Sequence, residues 1–251
     1  MENAKLTASD LYGRGVFTTL AIVSGEPFLW GKHWQRLTAN AAALGIDVSD
    51  HAEESVRDSL LTSIAERGVA TGRARITFSD ESRSRIWSND ESERKSGLSI
   101  IVAERRPVPN YFKLTASPHR INTTSPLVGM KSTNYLEQLL ATKEATDRGF
   151  HEAIRLNERD ETVSGCMANV FWETDGKLFT PSLKTGCLSG TTREYILESI
   201  ECEEVEIAIE DLRNADRIFL TSAGLGVATV AEFQGRRLDT SDHPLAQLLP
   251  L

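Results

Sequence analysis

Near the middle of the chain, RRPVPNYF (105–112) places two prolines within eight residues and erases the hydrophobic periods on either side. Proline fixes φ and removes an amide donor, so neither a helix interior nor a central strand runs through such a stretch. The break predicts two folding units: residues 1–106, a linker over 107–113, and residues 114–251.

Both halves carry both periods. In the first, GVFTTLAIVSGEPFLW reads as a hairpin turning at Ser24-Gly25. From Lys32 to about Leu44 the spacing of Trp34, Leu37, Ala41 and Leu44 is helical, closed by Gly45. EESVRDSLLTSIAERG predicts a second helix with Val56, Leu60, Leu61 and Ile64 inward. GRARITFSD and GLSIIVAER form a strand pair around the polar ESRSRIWSNDESERKSG. In the second half, EAIRLN, NVFWET, KLFTPS and DRIFLTS read as strands, and GTTREYILESI starts a helix. The expected class is mixed α+β in two domains.

At 251 residues, 40% of them hydrophobic, either one large or two modest cores can form. A net charge of −8 argues against nucleic acid and anionic membrane as partners. The opening MENAKLTASD lacks an apolar signal core, and no window reaches membrane-spanning length, which predicts a cytoplasmic protein. Cys166, Cys187 and Cys202 are irregularly spaced, as suits reduced thiols, and the five histidines do not fall in metal-ligand spacing.

Chemistry is concentrated in a few stretches. In GMKSTNYLEQLLATKEATDRG (129–149), Lys131 sits between a Thr/Pro/Gly-rich segment and a helix whose apolar face is read as Leu136, Leu139, Leu140 and Ala145. Ser132 and Thr133 are placed to cap that helix, and a cation near its positive end loses its proton more readily. Lys131 is thus either a surface residue beside a cap or a nucleophilic amine. LSGTTRE opens a helix behind Gly190, a form suited to an anion, or else an ordinary Thr cap. FLTSAGLG ends an apolar strand in hydroxyls and glycines. Arg36, on an otherwise apolar helix face, is a snorkelling side chain or a phosphate clamp. An amine together with three phosphate-donor stretches matches what pyridoxal phosphate requires.

In this order and spacing the motifs resemble the fold-type IV pyridoxal-phosphate enzymes: branched-chain and D-amino-acid aminotransferases and 4-amino-4-deoxychorismate lyases. YGRGVFTTL, GKHWQRL and AAALGI resemble the small N-terminal α/β domain. KSTNYLEQLLATKEATDRG, EAIRLN, GCMANVFW, LFTPSLKTGCLSGTTRE and FLTSAG resemble the larger, pseudo-barrel α/β domain. The resemblance implies pyridoxal 5'-phosphate as cofactor, a small-molecule substrate and a homodimer. It implies that Lys131 binds the cofactor covalently and then moves protons, and that Arg36, Thr191, Thr192, Ser222 and Ala223 hold its phosphate. Leu188 matches a residue packed on the cofactor ring, and Tyr135 a tyrosine near its phenolic oxygen. Tyr12 and Thr19 match the substrate-side wall.

Two positions choose within the family. Where aminotransferases of this type usually carry glutamate after the aromatic residue, Thr18 and Thr19 follow Phe17, as in the lyases, and Thr19 matches a catalytic position there. Ser164 stands where the family normally has the glutamate that keeps the cofactor's ring nitrogen protonated; Glu161 is the nearest replacement. A serine weakens the electron sink, which penalises transamination more than elimination. The expectation is elimination of pyruvate from 4-amino-4-deoxychorismate to give 4-aminobenzoate, with Lys131 and Thr19 catalytic. Arg14, Arg83 and Arg85 are candidates for substrate carboxylates. The alternative is an aminotransferase of D- or branched-chain amino acids using 2-oxoglutarate. A third possibility is a binding protein that keeps only the fold.

Overall fold

The computed structural model describes residues 6–82 and 95–249, so Arg83 and Arg85 lie outside the described residues. The chain divides into two compact units, residues 1–106 with 131–135, and residues 107–130 with 136–251.

The first unit begins with α1 (Ala8–Tyr12), β1 (Gly15–Val23) and β2 (Glu26–Pro27). It continues with α2 (Trp30–Ala43), α3 (Glu53–Arg67), β3 (Gly72–Asp80) and β4 (Ser96–Glu104). Its antiparallel sheet runs β2-β1-β3-β4. Period-2 alternation gives the sheet two distinct faces. Val16, Leu20, Ile22, Ala74, Ile76, Phe78 and Val102 pack with Leu37, Ala41, Val56, Leu60 and Ile64 of α2 and α3. Register pairs Phe17 with Thr77 and Thr19 with Arg75, so these four share the other face. Residues 131–133 run alongside the start of β1: Phe17 N–H donates to Lys131 O at 2.9 Å, and Thr133 N–H to Gly15 O at 2.8 Å. A bridge joins Val16 and Ser132.

The second unit contains β5 (Phe112–Ala116), α4 (Leu136–Asp147), β6 (Glu152–Leu156), β7 (Thr162–Gly165), β8 (Asn169–Thr174) and β9 (Lys177–Pro181). After these come α5 (Thr191–Ser199), β10 (Glu203–Val205), α6 (Ile209–Asn214), β11 (Arg217–Ser222), β12 (Gly226–Phe233), β13 (Arg236–Arg237) and α7 (Pro244–Gln247). The mixed sheet runs β10-β9-β8-β11-β12-β5-β6-β7, with β13 on β12. Leu114, Ile154, Val170, Trp172, Ile218, Leu220 and Val230 form the main core with Ile209 and Leu212 of α6. A second cluster sets Ile196 of α5 and Leu245 of α7 against Phe171 and Phe219.

Helix α4 corrects one expectation. Leu136, Leu139 and Leu140 are exposed, at 65%, 52% and 51%. The buried side is Ala141 and Ala145, packed on Ala153 and Cys166. Small side chains let helix and sheet approach closely, and the bulkier leucines are left on the opposite side. Among the described residues no helix is long and apolar enough to cross a membrane. The three cysteines are unbonded.

Candidate active site

The first unit carries the amine. Lys131 is half-buried, its Nζ 3.2 Å from the Tyr135 hydroxyl and 4.5 Å from the centre of the Phe17 ring. The Arg75 guanidinium lies 3.5 Å from the centre of the same ring. Burial, reinforced by the positive charges of Arg36 and Arg75, lowers the Lys131 pKa to about 7. The amine is therefore a base near neutrality, and the cause differs from the one expected. Ser132 and Thr133 do not cap α4: Ser132 bridges Val16, and Thr133 Oγ1 donates to the carbonyls of Gly13 and Gly15. Burial and two neighbouring cations do the work assigned to a helix dipole.

Thr18 and Thr19 part company because successive strand residues point to opposite faces. Thr18 is buried, its Oγ1 2.6 Å from His33 Nδ1 and accepting from Arg36 at 2.9 Å. Thr19 is half-buried on the face of Phe17 and Arg75. Arg14 is committed locally: it pairs with Asp80 at 3.0 Å and donates to the Leu44 and Gly45 carbonyls. These contacts tie the Arg14 guanidinium to its own unit. Tyr12 ends α1 with 56% exposure.

The sequence reading missed Arg75 and His33. Their signals were the alternation of RAR in β3, which puts both arginines on one face, and the three-residue step from His33 to Arg36 on α2.

The second unit carries an anion cradle. Thr191 and Thr192 are buried at the start of α5, and its N-cap, Gly190, provides no side-chain cap. The first amides of a helix are orphan donors at the positive end of its dipole. A Cβ on Gly190 would stand 2.0 Å from Asn169 Oδ1, so glycine makes room for that amide. Asn169 Nδ2 in turn donates to Leu188 O at 2.9 Å. Register sets Thr221 opposite Asn169, and the buried Thr221 Oγ1 has no hydrogen-bond partner among the described residues. Ser222 Oγ accepts from Leu225 N–H at 3.2 Å, and half-buried Ala223 follows it.

On β7, half-buried Ser164 donates to Gly165 O at 2.7 Å. Register places Arg155 directly opposite it. Arg155 is 2% exposed, and its guanidinium donates to the His119 and Arg120 carbonyls. Glu161 does not replace the missing carboxylate, being taken up by Arg159 and Asn157. The buried Glu152 is also committed, accepting from the amides of Cys166, Met167 and Ala153.

The sequence profile described as "Amino-transferase class IV" matches residues 15–233. The chain belongs to the class IV aminotransferase family. It is 26% identical over 250 residues to the aminodeoxychorismate lyase of Vibrio harveyi, covering 94% of this chain and 89% of that one. It is likewise 26% identical to the D-alanine aminotransferase of Listeria monocytogenes, over 89% of this chain and 80% of the relative. The branched-chain aminotransferase of the archaeon Thermoproteus uzoniensis, solved with norvaline, superposes with a TM-score of 0.87. It shares 26% identity over 98% of this chain and 87% of its own. The architecture is fold-type IV, and enzymes of this class depend on pyridoxal 5'-phosphate.

The residues fit that cofactor. Lys131 supplies an amine with a substantial deprotonated fraction near neutrality, as a covalent anchor requires. The start of α5, whose N-cap Gly190 supplies no side-chain cap, and the Thr221 hydroxyl are donors suited to a phosphate.

Proposed function

We propose that this chain is a 4-amino-4-deoxychorismate lyase, releasing pyruvate and leaving 4-aminobenzoate. The observation that carries the reading is Ser164, across from the buried Arg155, where related enzymes place a carboxylate toward the ring nitrogen. When bound, the cofactor's conjugated ring accepts the electron pair left behind as the carbon bearing the amino group loses its proton. A neutral hydroxyl supports this acceptance less than a carboxylate does. Elimination here ends in an aromatic product, whose stability supplies driving force that amino transfer lacks.

The roles of this chain's residues follow from their placement. Lys131 takes the proton from the ring carbon that bears the amino group. The C–O bond to the enolpyruvyl group breaks, its electron pair leaving on oxygen, and the released enolate is protonated to pyruvate. Thr19 stands on the sheet face of Phe17 and Arg75, with a hydroxyl able to deliver that proton. Arg75, set over Phe17, is an anchor for a substrate carboxylate. A dianionic substrate also offsets the two arginine charges, so Lys131 holds its proton more firmly once substrate is bound. Arg36, Thr191, Thr192, Ser222 and Ala223 hold the phosphate, with Leu188 against the ring. We place the enzyme in the cytoplasm as a homodimer, without nucleic-acid or membrane partners.

A second reading, an aminotransferase of D- or branched-chain amino acids, is favoured by the Tyr135 hydroxyl beside Lys131. The test is direct. Purified protein loaded with pyridoxal phosphate is given 4-amino-4-deoxychorismate, and separately a panel of D- and L-amino acids with 2-oxoglutarate. Stoichiometric pyruvate and 4-aminobenzoate, lost in Lys131→Ala, support the lyase. Amino transfer without 4-aminobenzoate refutes it in favour of the second reading. Neither activity, and no absorbance from bound cofactor, would leave only a binding protein.

A further inference from the structure

The mechanism above leaves one buried polar cluster unexplained, in the interior of the first unit. His33 is 1% exposed on α2, and Thr18 is 1% exposed on β1. The Thr18 hydroxyl lies 2.6 Å from His33 Nδ1 and 2.9 Å from the Arg36 Nη2 that donates to it. Arginine can only donate, so Thr18 Oγ1 accepts from Arg36, and its own proton points to Nδ1. The hydrogen bonds then run in one direction, from guanidinium to hydroxyl to imidazole. That polarity requires an Nδ1 lone pair, hence a neutral ring with its proton on Nε2.

Two features keep the ring neutral. It is enclosed by the core, and the charges of Arg36 and Lys131 oppose a third cation; together they push the His33 pKa down to about 3. The neutral ring, and with it the hydrogen-bond chain, is therefore kept near neutral pH. His33 and Arg36, three residues apart, emerge from the same side of α2, and Thr18 meets both from the sheet. The bond from Arg36 to Thr18 thus helps to fix the pose of the arginine before any ligand arrives.

We propose that Thr18 and His33 are positioning residues that hold Arg36 ready for the cofactor's phosphate. The proposal rests on the cofactor, which both readings above share, and is independent of which reaction follows. It also gives Thr18 a role distinct from that of Thr19. Glutamate in place of Thr18, as in the aminotransferase pattern, would hold the arginine by charge, whereas here a hydroxyl and a neutral imidazole do so.

The test compares two ligands that differ only in the phosphate. Dissociation constants for pyridoxal 5'-phosphate and for pyridoxal are measured by absorbance titration of cofactor-free protein. The wild-type protein should prefer the phosphorylated form strongly. Thr18→Val and His33→Leu should each lower that preference about 10-fold, chiefly through weaker pyridoxal phosphate binding. Thr18→Ser, which keeps the hydroxyl, and His33→Asn, whose Oδ1 can stand where Nδ1 stands, should keep it within about twofold. Weakening of both ligands equally in Thr18→Val and His33→Leu would mean a general packing role and overturn the proposal. So would an unchanged preference. Equal affinity of the wild-type protein for the two ligands would overturn the phosphate role of Arg36 itself, and it is told apart by appearing without any substitution. Should Thr18→Val or His33→Leu not fold, loss of the preference in Thr18→Ser or His33→Asn would decide against the chain.

Discussion

Replacing Arg75 by glutamine should raise the pKa of Lys131 by about one unit. The guanidinium carbon and the lysine Nζ lie 3.5 and 4.5 Å from the same Phe17 ring centre, so they are at most about 8 Å apart. At an effective dielectric of about 20, unit charges at that distance repel by about 2 kcal/mol, or roughly 1.5 pKa units. Three causes take the amine from 10.5 to about 7, and Arg75 is the smallest of them, after burial and Arg36. Its share is therefore no more than about a third of the fall, or about one unit, below the Coulomb figure because solvent screens this half-exposed pair more than a dielectric of about 20 allows. Competitive acetylation of cofactor-free protein across a pH series, read at the Lys131 peptide by mass spectrometry, measures the titration directly. The wild-type inflection should lie near 7 and that of Arg75→Gln near 8. An inflection near 10.5 in the wild type would refute the burial argument. An Arg75→Gln inflection that does not move would refute the electrostatic one. The sign carries over to stability. The folded-state pKa lies below the unfolded one, so the unfolded chain binds more protons between about pH 7 and 10.5. Cofactor-free protein should gain stability as pH rises through that window, with the full penalty present below it. Lys131→Met should flatten this rise.

Other residues give independent checks. Gly190→Ala brings a methyl within 2.0 Å of Asn169 Oδ1, so pyridoxal phosphate affinity should fall at least tenfold by absorbance titration; unchanged affinity would remove this cradle from the phosphate site. Ser164→Glu should raise the ratio of amino transfer to pyruvate release, and an unaltered ratio would break the link between Ser164 and the electron sink. Glu152→Gln turns one of the acceptors for the Cys166, Met167 and Ala153 amides into a donor, and urea unfolding should show a loss of about 1–3 kcal/mol. A loss under 0.5 kcal/mol would mean that the 165–168 turn does not depend on this carboxylate.

Hydrophobic period located most strands and helices because it reports which side of an element is dry. The segments read as GRARITFSD and GLSIIVAER are β3 and β4 residue for residue up to a boundary shift, and α3 matches EESVRDSLLTSIAER. Shorter elements escaped: β7, β10, α6 and α7 have too few residues for a period to show. The same rule misplaced the leucines of α4. Period gives a helix an apolar side, but whether Leu139 or Ala141 faces the sheet depends on how closely that sheet approaches.

The order of motifs along the chain, with an amine at 131, an arginine at 36 and hydroxyls at 191, 192 and 222, was readable from sequence alone, and so were the family and its cofactor. These are matters of residue identity and spacing, which a linear string preserves. Tertiary structure decided what each group experiences. The Arg75 charge and the burial that set the acidity of Lys131 come from residues distant in sequence. Asp80 turns Arg14 into a structural tie, and β1 aims Thr18 at His33 and Thr19 the opposite way. Burial and Coulomb interaction depend on distances through space, and those exist only once the chain has folded.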